Sequence, residues 1–418
     1  MSLAGLAIRN VVRNRRRSAL NVVAIGLGVA LMFVCLGWVQ GYSTYIYKAV
    51  IDMQTGAAQI LRGGYQDQSA RFPLDLTVKD YAALRRNLES RPGITGASGR
   101  IDFPLQLTAA AGSVRLLGQG IDAEAESHVT SIARKIAAGS YLGGSPGLLV
   151  GKSLAAKLGV GPGSTVIVSA TDVYGVENRM ELPIVGLVSF GYSAMDDEMA
   201  WMDLASAQAL LGLGDEVTRI VAAGPNAGKV LQAARALVAL TDTRGVPGAP
   251  DVGGLRAYDW KEFAKATVSG VRTDSDSFYV VAAILFGLII VGILNSMSMS
   301  VEERHREIAA LRAIGFRKRD ARRLILLEGA AIAVLGTLVG FVVAAPLAYW
   351  LGVVGVDIAA YIPKDFPIPF GEVYHADYRF WHVILSIALG LGASLAGALA
   401  PASRAARLPI AETIGAGL

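Results

Sequence analysis

Four apolar runs, unevenly spaced, constrain this chain more than any other feature. They occupy residues 20–40, 278–300, 324–351 and 380–400. About 20 apolar residues cross the ~30 Å hydrocarbon core as a helix, and every backbone polar group there must be satisfied within the segment. Each run therefore predicts one transmembrane helix. Residues 41–277 are mixed and water-compatible, whereas the connections at 301–323 and 352–379 are short. One large domain is thus hung between the first two spans, and a helix pair follows. The expected fold class is an α-helical membrane protein with four transmembrane helices plus a large extracytoplasmic α+β domain.

Positive charge near span ends sets orientation. The segment 1–19 carries Arg9, Arg13, Arg15, Arg16 and Arg17 with no acid, and 301–323 holds eight arginines or lysines against Glu302, Glu303, Glu307 and Asp320. The tail 401–418 adds Arg404 and Arg407 with Glu412. By contrast, 352–379 is acidic on balance, and 41–277 has 22 basic and 24 acidic residues although the chain is +5 overall. Both termini and the 301–323 loop are therefore expected in the cytoplasm, with the large domain outside. The basic excess is a topology signal rather than a nucleic-acid footprint. Trp38, Tyr42, Tyr45, Phe278, Tyr279, Tyr349, Trp350, Phe380 and Trp381 all fall at the expected outer ends, where amphipathic rings favour the headgroup layer. The first run is too long for a signal-peptide core and lacks a small-x-small cleavage pattern, so it reads as a retained anchor.

Before the first span, Leu3, Ala4, Ala7, Ile8, Val11 and Val12 recur at helical spacing with arginines opposite. This predicts an amphipathic helix suited to the inner headgroup layer; a solvated basic tail is the other reading. Strand patterns occur at 58–61, 113–119, 164–168, 180–188 and 219–222, and helical patterns at 78–90, 152–158, 204–211 and 228–240. Gly/Pro clusters at 143–147, 159–163 and 245–254 punctuate them. A helical stretch at 259–271 is expected to run on into the second span. Cys35 is the single cysteine, so the outer domain holds no disulfide and must rely on its own core. Within the spans, Gly336-x-x-x-Gly340, Gly390-x-x-x-Ser394 and Gly26-x-x-x-Ala30 offer small faces for close helix packing. Glu328, about one turn into the third span, is the deepest charge; ion pathways usually need more, which disfavours an ion-driven carrier.

Little points to catalysis. Gly147–Ser153 (GLLVGKS) lacks the glycine that a phosphate loop needs five positions before the glycine of Gly-Lys-Ser, because Pro146 stands there and Gly147 is one residue too close; a strand-to-helix turn is the better reading. His128, His305, His375 and His382 show no metal-ligand spacing. Asp196, Asp197 and Glu198 read as a solvated acidic loop. The informative stretch is Val301–Leu324, VEERHREIAALRAIGFRKRDARRL. Ile308, Leu311 and Ile314 form an apolar stripe among charges, and Gly315 ends the helix. Such a helix could dock into a groove on a soluble partner; a solvated loop held near the bilayer by its cations is the alternative.

Three pieces of the chain resemble one family. They are LAIRNVVRNRRRSALNVVAIGLGVAL at the start, REIAALRAIGFRKRDARRLILLEGAAIAVLGTLVGFVVA, and APASRAARLPIAETI at the end. All resemble the FtsX-like/MacB-like permease family of ATP-binding-cassette transporters. DMQTGAAQILRGGY, past the first span, is most similar to the lipoprotein-releasing (LolC/LolE-type) branch. The resemblance implies a bacterial inner-membrane permease subunit, paired with an identical or different second permease. ATP and Mg would be held by a separate cytoplasmic ATPase dimer, with no cofactor on this chain and no catalysis by it. It implies a periplasmic domain split into a membrane-proximal porter-like part and an inserted β-rich part near 140–212. Residues 301–323 would be a coupling helix, with Arg306, Glu307, Ala310, Leu311, Arg312, Ile314 and Gly315 toward the ATPase. The implied task is extraction of lipoproteins or another amphiphile, passed to a periplasmic acceptor. Efflux of peptides or macrolides through a periplasmic adaptor, or signalling to a cell-wall enzyme, are the other family roles. For lipid-anchored cargo the expected groove lies where the first two spans meet the outer leaflet, at Phe33, Leu36, Val39, Tyr42, Phe278, Val281 and Leu285.

Overall fold

The computed structural model describes residues 3–13, 15–190, 193–241, 254–357 and 373–407. The glycine cluster expected to break the chain at 245–254 and the end of the basic tail lie almost wholly outside them. Two units can be distinguished, one of residues 1–45, 270–356 and 373–418 and one of residues 46–269 and 357–372.

In chain order the elements begin with α1 (Leu3–Arg13), α2 (Arg15–Val50), β1 (Ala58–Arg62), β2 (Val78–Lys79) and α3 (Tyr81–Glu89). Then come β3 (Gly96–Ala109), β4 (Gly112–Ile121), α4 (Ala123–Ser127), β5 (Ile136–Gly139), β6 (Leu148–Gly151) and α5 (Lys152–Leu158). The middle of the domain holds β7 (Thr165–Thr171), β8 (Glu177–Val188), α6 (Ser193–Glu198), β9 (Met199–Asp203) and α7 (Leu204–Leu211). It closes with β10 (Glu216–Val217), β11 (Arg219–Ala223), α8 (Ala227–Thr241), β12 (Leu255–Asp259) and α9 (Trp260–Phe263). The remaining helices are α10 (Lys265–Glu303), α11 (His305–Ala313), α12 (Lys318–Tyr349) and α13 (Phe380–Arg407).

Among the described residues, four helices are long and apolar enough to cross a membrane: α2, α10, α12 and α13. Each contains one of the apolar runs, the third running on for its last two residues into a π-helical turn at Trp350–Val354. The small faces read from the sequence are where these helices meet. A Cβ on Gly336 would stand 2.7 Å from Ile25 Cβ, and one on Gly340 would stand 2.7 Å from the Gly26 carbonyl oxygen. Thus α2 and α12 touch through backbone, which only small residues permit. Gly390 faces Val29 and Thr337, and Ser394 Oγ donates to the Gly329 carbonyl at 2.9 Å. The second helix differs: α10 buries only Val271, Ile293, Met297 and Val301. It begins at Lys265 rather than at Asp259, because Ala264 (φ −115°) leaves the helical region between α9 and α10.

In the other unit, ten strands form one sheet in the order β12-β1-β11-β3-β4-β9-β6-β8-β5, with β7 pairing β3 and β8. The five expected strands and four expected helices are present, with α5 and α7 at the expected residues. Other elements escaped the sequence reading, above all β3, the longest strand. Its Gly96, Gly99 and Pro104 mask the alternation. Pro104 sits between the stretches of β3 that pair β11 (Gly96–Arg100) and β7 (Gln106–Thr108), where that edge has no partner to lose. The expected division of the outer domain is not seen as separate sheets. Residues 148–203 enter the common sheet through β3–β7 and β4–β9 hydrogen bonds, and Leu148, Val166 and Leu182 share one core with Ile60, Ile101 and Ile220. The acidic trio is not a solvated loop either. Asp196 is buried and accepts from the Phe190 amide at 2.9 Å, while Asp197 pairs with Lys157 at 2.7 Å.

Candidate functional site

The 301–323 segment folds as a short helix bracketed by two breaks. Arg304 (φ −107°, ψ 15°) ends α10 and precedes α11. At the other end Gly315 takes φ +110°, a region costly for any side chain. There the Phe316 amide donates to the Leu311 carbonyl (3.1 Å) and the Gly315 amide to the Arg312 carbonyl (3.2 Å). These are the paired bonds of a glycine-terminated helix end.

The expected apolar stripe is split by packing. Ile308 and Ala309 turn inward and are buried, Ile308 among Val11, Val301, Ala321 and Ile325. Ile314 turns outward, 82 % exposed, and Leu311 is half-buried at the margin. The outward edge of α11 is therefore Arg306, Glu307, Ala310, Ile314 and Gly315, with Leu311 and Arg312 beside it. Glu307 is not free to meet a partner alone. Its carboxylate accepts from Arg13 on α1 at 2.6 Å and from Arg304 at 3.0 Å. Partial burial pushes the carboxyl up, but these two guanidinium bonds outweigh it and hold Glu307 below the usual carboxylate range.

The seven residues expected to form a lipid-facing groove do not share one surface. Phe33, Leu36 and Val39 are buried. Phe33 stacks on Tyr378 with centroids 5.0 Å apart and meets Phe341 edge-on at 5.3 Å. Tyr42 is held by a 3.1 Å bond to Asp274. Only the α10 members face outward: Phe278 and Val281 are exposed and Leu285 is half-exposed. Residues at the outer end of a span cannot be assigned to lipid or core by depth alone. The third and fourth spans cover one face of α2, whereas α10 leaves an apolar face uncovered at Val281, Ile284, Leu288 and Val291, with Gly287 open beside them; α2 at Leu27 and Leu31 and α12 at Leu338 and Val342 are exposed as well.

The MacB-like periplasmic core domain model matches residues 18–240, and the FtsX-like permease C-terminal model matches residues 279–410. The chain belongs to the FtsX-like/MacB-like permease family. It is 24 % identical to the lipoprotein-releasing system transmembrane protein LolC of Neisseria meningitidis, over 94 % of this chain and 92 % of that one. Identity to the LolE protein of the same system in Haemophilus influenzae is 22 %, over 94 % and 93 %. The macrolide export ATP-binding/permease protein MacB of Nitrobacter winogradskyi is 26 % identical over all of this chain but 60 % of its own length. This permease is thus an ABC transporter membrane component with a large periplasmic-type core domain. The first model covers most of α2, the sheet up to β11 and nearly all of α8, and the second covers most of α10 and all of α11, α12 and α13.

Proposed function

We propose that this permease is the membrane subunit of a lipoprotein-releasing ABC transporter. ATP hydrolysis on a separate cytoplasmic ATPase, received at the outward edge of α11, would drive the outer domain to lift lipoproteins or a similar amphiphile from the outer leaflet. The observation that carries the reading is the end-to-end correspondence with the lipoprotein-releasing relatives, 94 % of this chain against 92 % of LolC. The macrolide-export relative, matched over 60 % of its length, supports efflux through an adaptor as the second reading.

The arginine-rich ends support a cytoplasmic side for both termini and α11 under the positive-inside rule. The uncovered face of α10 is the natural contact for a second permease subunit and for an acyl chain entering between the two. A buried CH₂ is worth ~0.8 kcal/mol relative to water but nearly nothing relative to lipid, so selectivity must come from the protein part of the cargo or from closure. A photo-crosslinker at Val281 or Ile284 tests this. It should capture acylated protein without ATP and lose it when ATP is trapped. Equal capture in both states, or capture of no acylated species, would exclude this reading in favour of efflux or signalling.

A further inference from the structure

Five polar side chains from α1, α11, α12 and the bend at Arg304 close into a ring at the cytoplasmic end of the helical unit. Asn10 donates to Glu328 at 2.5 Å, and Arg304 donates to the same carboxylate at 3.1 Å. Arg304 also bonds Glu307, which Arg13 holds from the far side at 2.6 Å. Asn10 and Arg13 are one turn apart on α1, so the ring is complete. Its inner half is buried: the side chain of Glu328 is 6 % exposed and that of Arg304 16 %, whereas Arg13 and Glu307 are open to solvent. Beside it lies a cavity of about 20 Å³ whose polar lining is Asn10, Ser18, Asn21, Ser300, Arg304 and Glu328, closed on its apolar side by Val11, Met297 and Ile332. That is room for one water among polar partners.

We propose that Arg304 and Glu328 are positioning residues: the ring clasps the bend before α11 to α12 and α1, so that a displacement of α11 is delivered to the third span and the amino-terminal helix together. The physical reason is the bend itself. At Arg304 the helical hydrogen-bond ladder is interrupted, and an interrupted ladder transmits no defined direction. Arg304 fills that gap with a planar guanidinium that spans two carboxylates at fixed angles, a geometry a lysine does not reproduce. Glu328 supplies the fixed end, a charge set into an otherwise apolar helix where only a paired carboxylate is tolerated.

A double-mutant comparison separates positioning from simple stability. Spin labels at Ala310 on α11 and Val342 on α12, both exposed, report their distance distribution in the purified chain without nucleotide. Arg304→Gln strands the buried Glu328 carboxylate, and Glu328→Gln leaves Arg304 held by Glu307 alone, so each should lower thermal stability and broaden the distribution. The double variant removes both charges, so its stability should return toward wild type while its distribution stays broad. Recovery of the narrow distribution in the double variant, or a narrow one in both singles, would overturn the proposal. This arm needs no ATPase, so it stands apart from the transport reading. The ATP arm rests on that reading: with the cognate ATPase bound, all three variants should keep hydrolysis but lose the ATP-driven shift of Val342 relative to Ala310, and an intact shift in the double variant would also refute the clasp.

Discussion

Substituting Gly340 by alanine tests whether backbone contact between α2 and α12 holds the helical unit together. The new Cβ would lie 2.7 Å from the Gly26 carbonyl oxygen and 3.0 Å from Val29 Cβ, where ordinary contact begins at 3.4 Å. The shortfall is about 0.7 Å, and because backbone bars the way no rotamer change relieves it. The helices must separate locally. A gap of ~0.5–1 Å forfeits a quarter to a half of each ~0.1–0.2 kcal/mol atom contact, and a buried side chain makes ~40–60 of these. For the Ile25–Val29 surface that comes to about 2–3 kcal/mol, in keeping with the ~1–3 kcal/mol typical of overpacked sites. Alanine also gains ~1 kcal/mol of helix propensity over glycine, so the control is Gly392→Ala, where nothing lies within 4 Å. The difference between the two variants isolates packing. Unfolding by sodium dodecyl sulfate titration, followed by far-ultraviolet circular dichroism, should find Gly340→Ala less stable than Gly392→Ala by about 2–3 kcal/mol. Equal stabilities would refute the close-contact account.

Three further outcomes are expected. Leu311→Asp or Ile314→Asp should leave membrane insertion intact but abolish ATPase association in a pull-down, since a lone charge in an apolar contact is costly; retained association would remove α11 as the docking edge. Arg100→Gln should cost the outer domain about 3–5 kcal/mol, because it strands a buried partner charge: Arg100 bonds the fully buried Glu126 at 2.6 Å. Burial pushes the Glu126 carboxyl up, but Arg100, Thr130 and Ser98 together hold it below its ordinary 4.5. The folded value is thus the lower one, so this stabilisation is complete above about pH 4.5 and is lost as the pH falls through the depressed value. Acid titration of Glu126→Gln should lack that component, and an unchanged profile would contradict the pairing. Phe33→Ala should destabilise the chain by about 3–5 kcal/mol as a core cavity does, and a crosslinker placed there should capture no cargo; efficient cargo capture at Phe33 would restore the first span to the groove.

Much of the architecture could be read from residue pattern because bilayer physics leaves few options. Twenty apolar residues in a row become a helix, and small residues four apart become a contact, as Gly26, Gly336 and Gly340 do. The glycine stop at Gly315 was equally legible, since its φ of +110° suits no other residue. Faces were harder. Ile308 and Ile314 both look like members of one stripe, yet the core formed by Val11 and Ile325 takes the first and leaves the second outside. Phe33 was misplaced for the same reason: depth in the bilayer is a property of the sequence, but facing depends on which helices arrive beside it. In the outer domain, β3 was hidden by glycines and a proline that its neighbours accommodate. The polar ring joins residues 318 positions apart, which no local pattern reveals; the lone carboxylate of Glu328 inside the third span was the one signal for it.

ATP-dependent release of an acylated protein from proteoliposomes tests the central claim most directly. The permease, its partner permease and the cognate ATPase would be reconstituted with a lipoprotein in the same bilayer, and soluble lipoprotein measured with a soluble acceptor present. The account predicts release that requires ATP hydrolysis, fails for the same protein lacking its acyl chains, and is lost with Leu311→Asp. ATP hydrolysis without release of any acylated protein would contradict it.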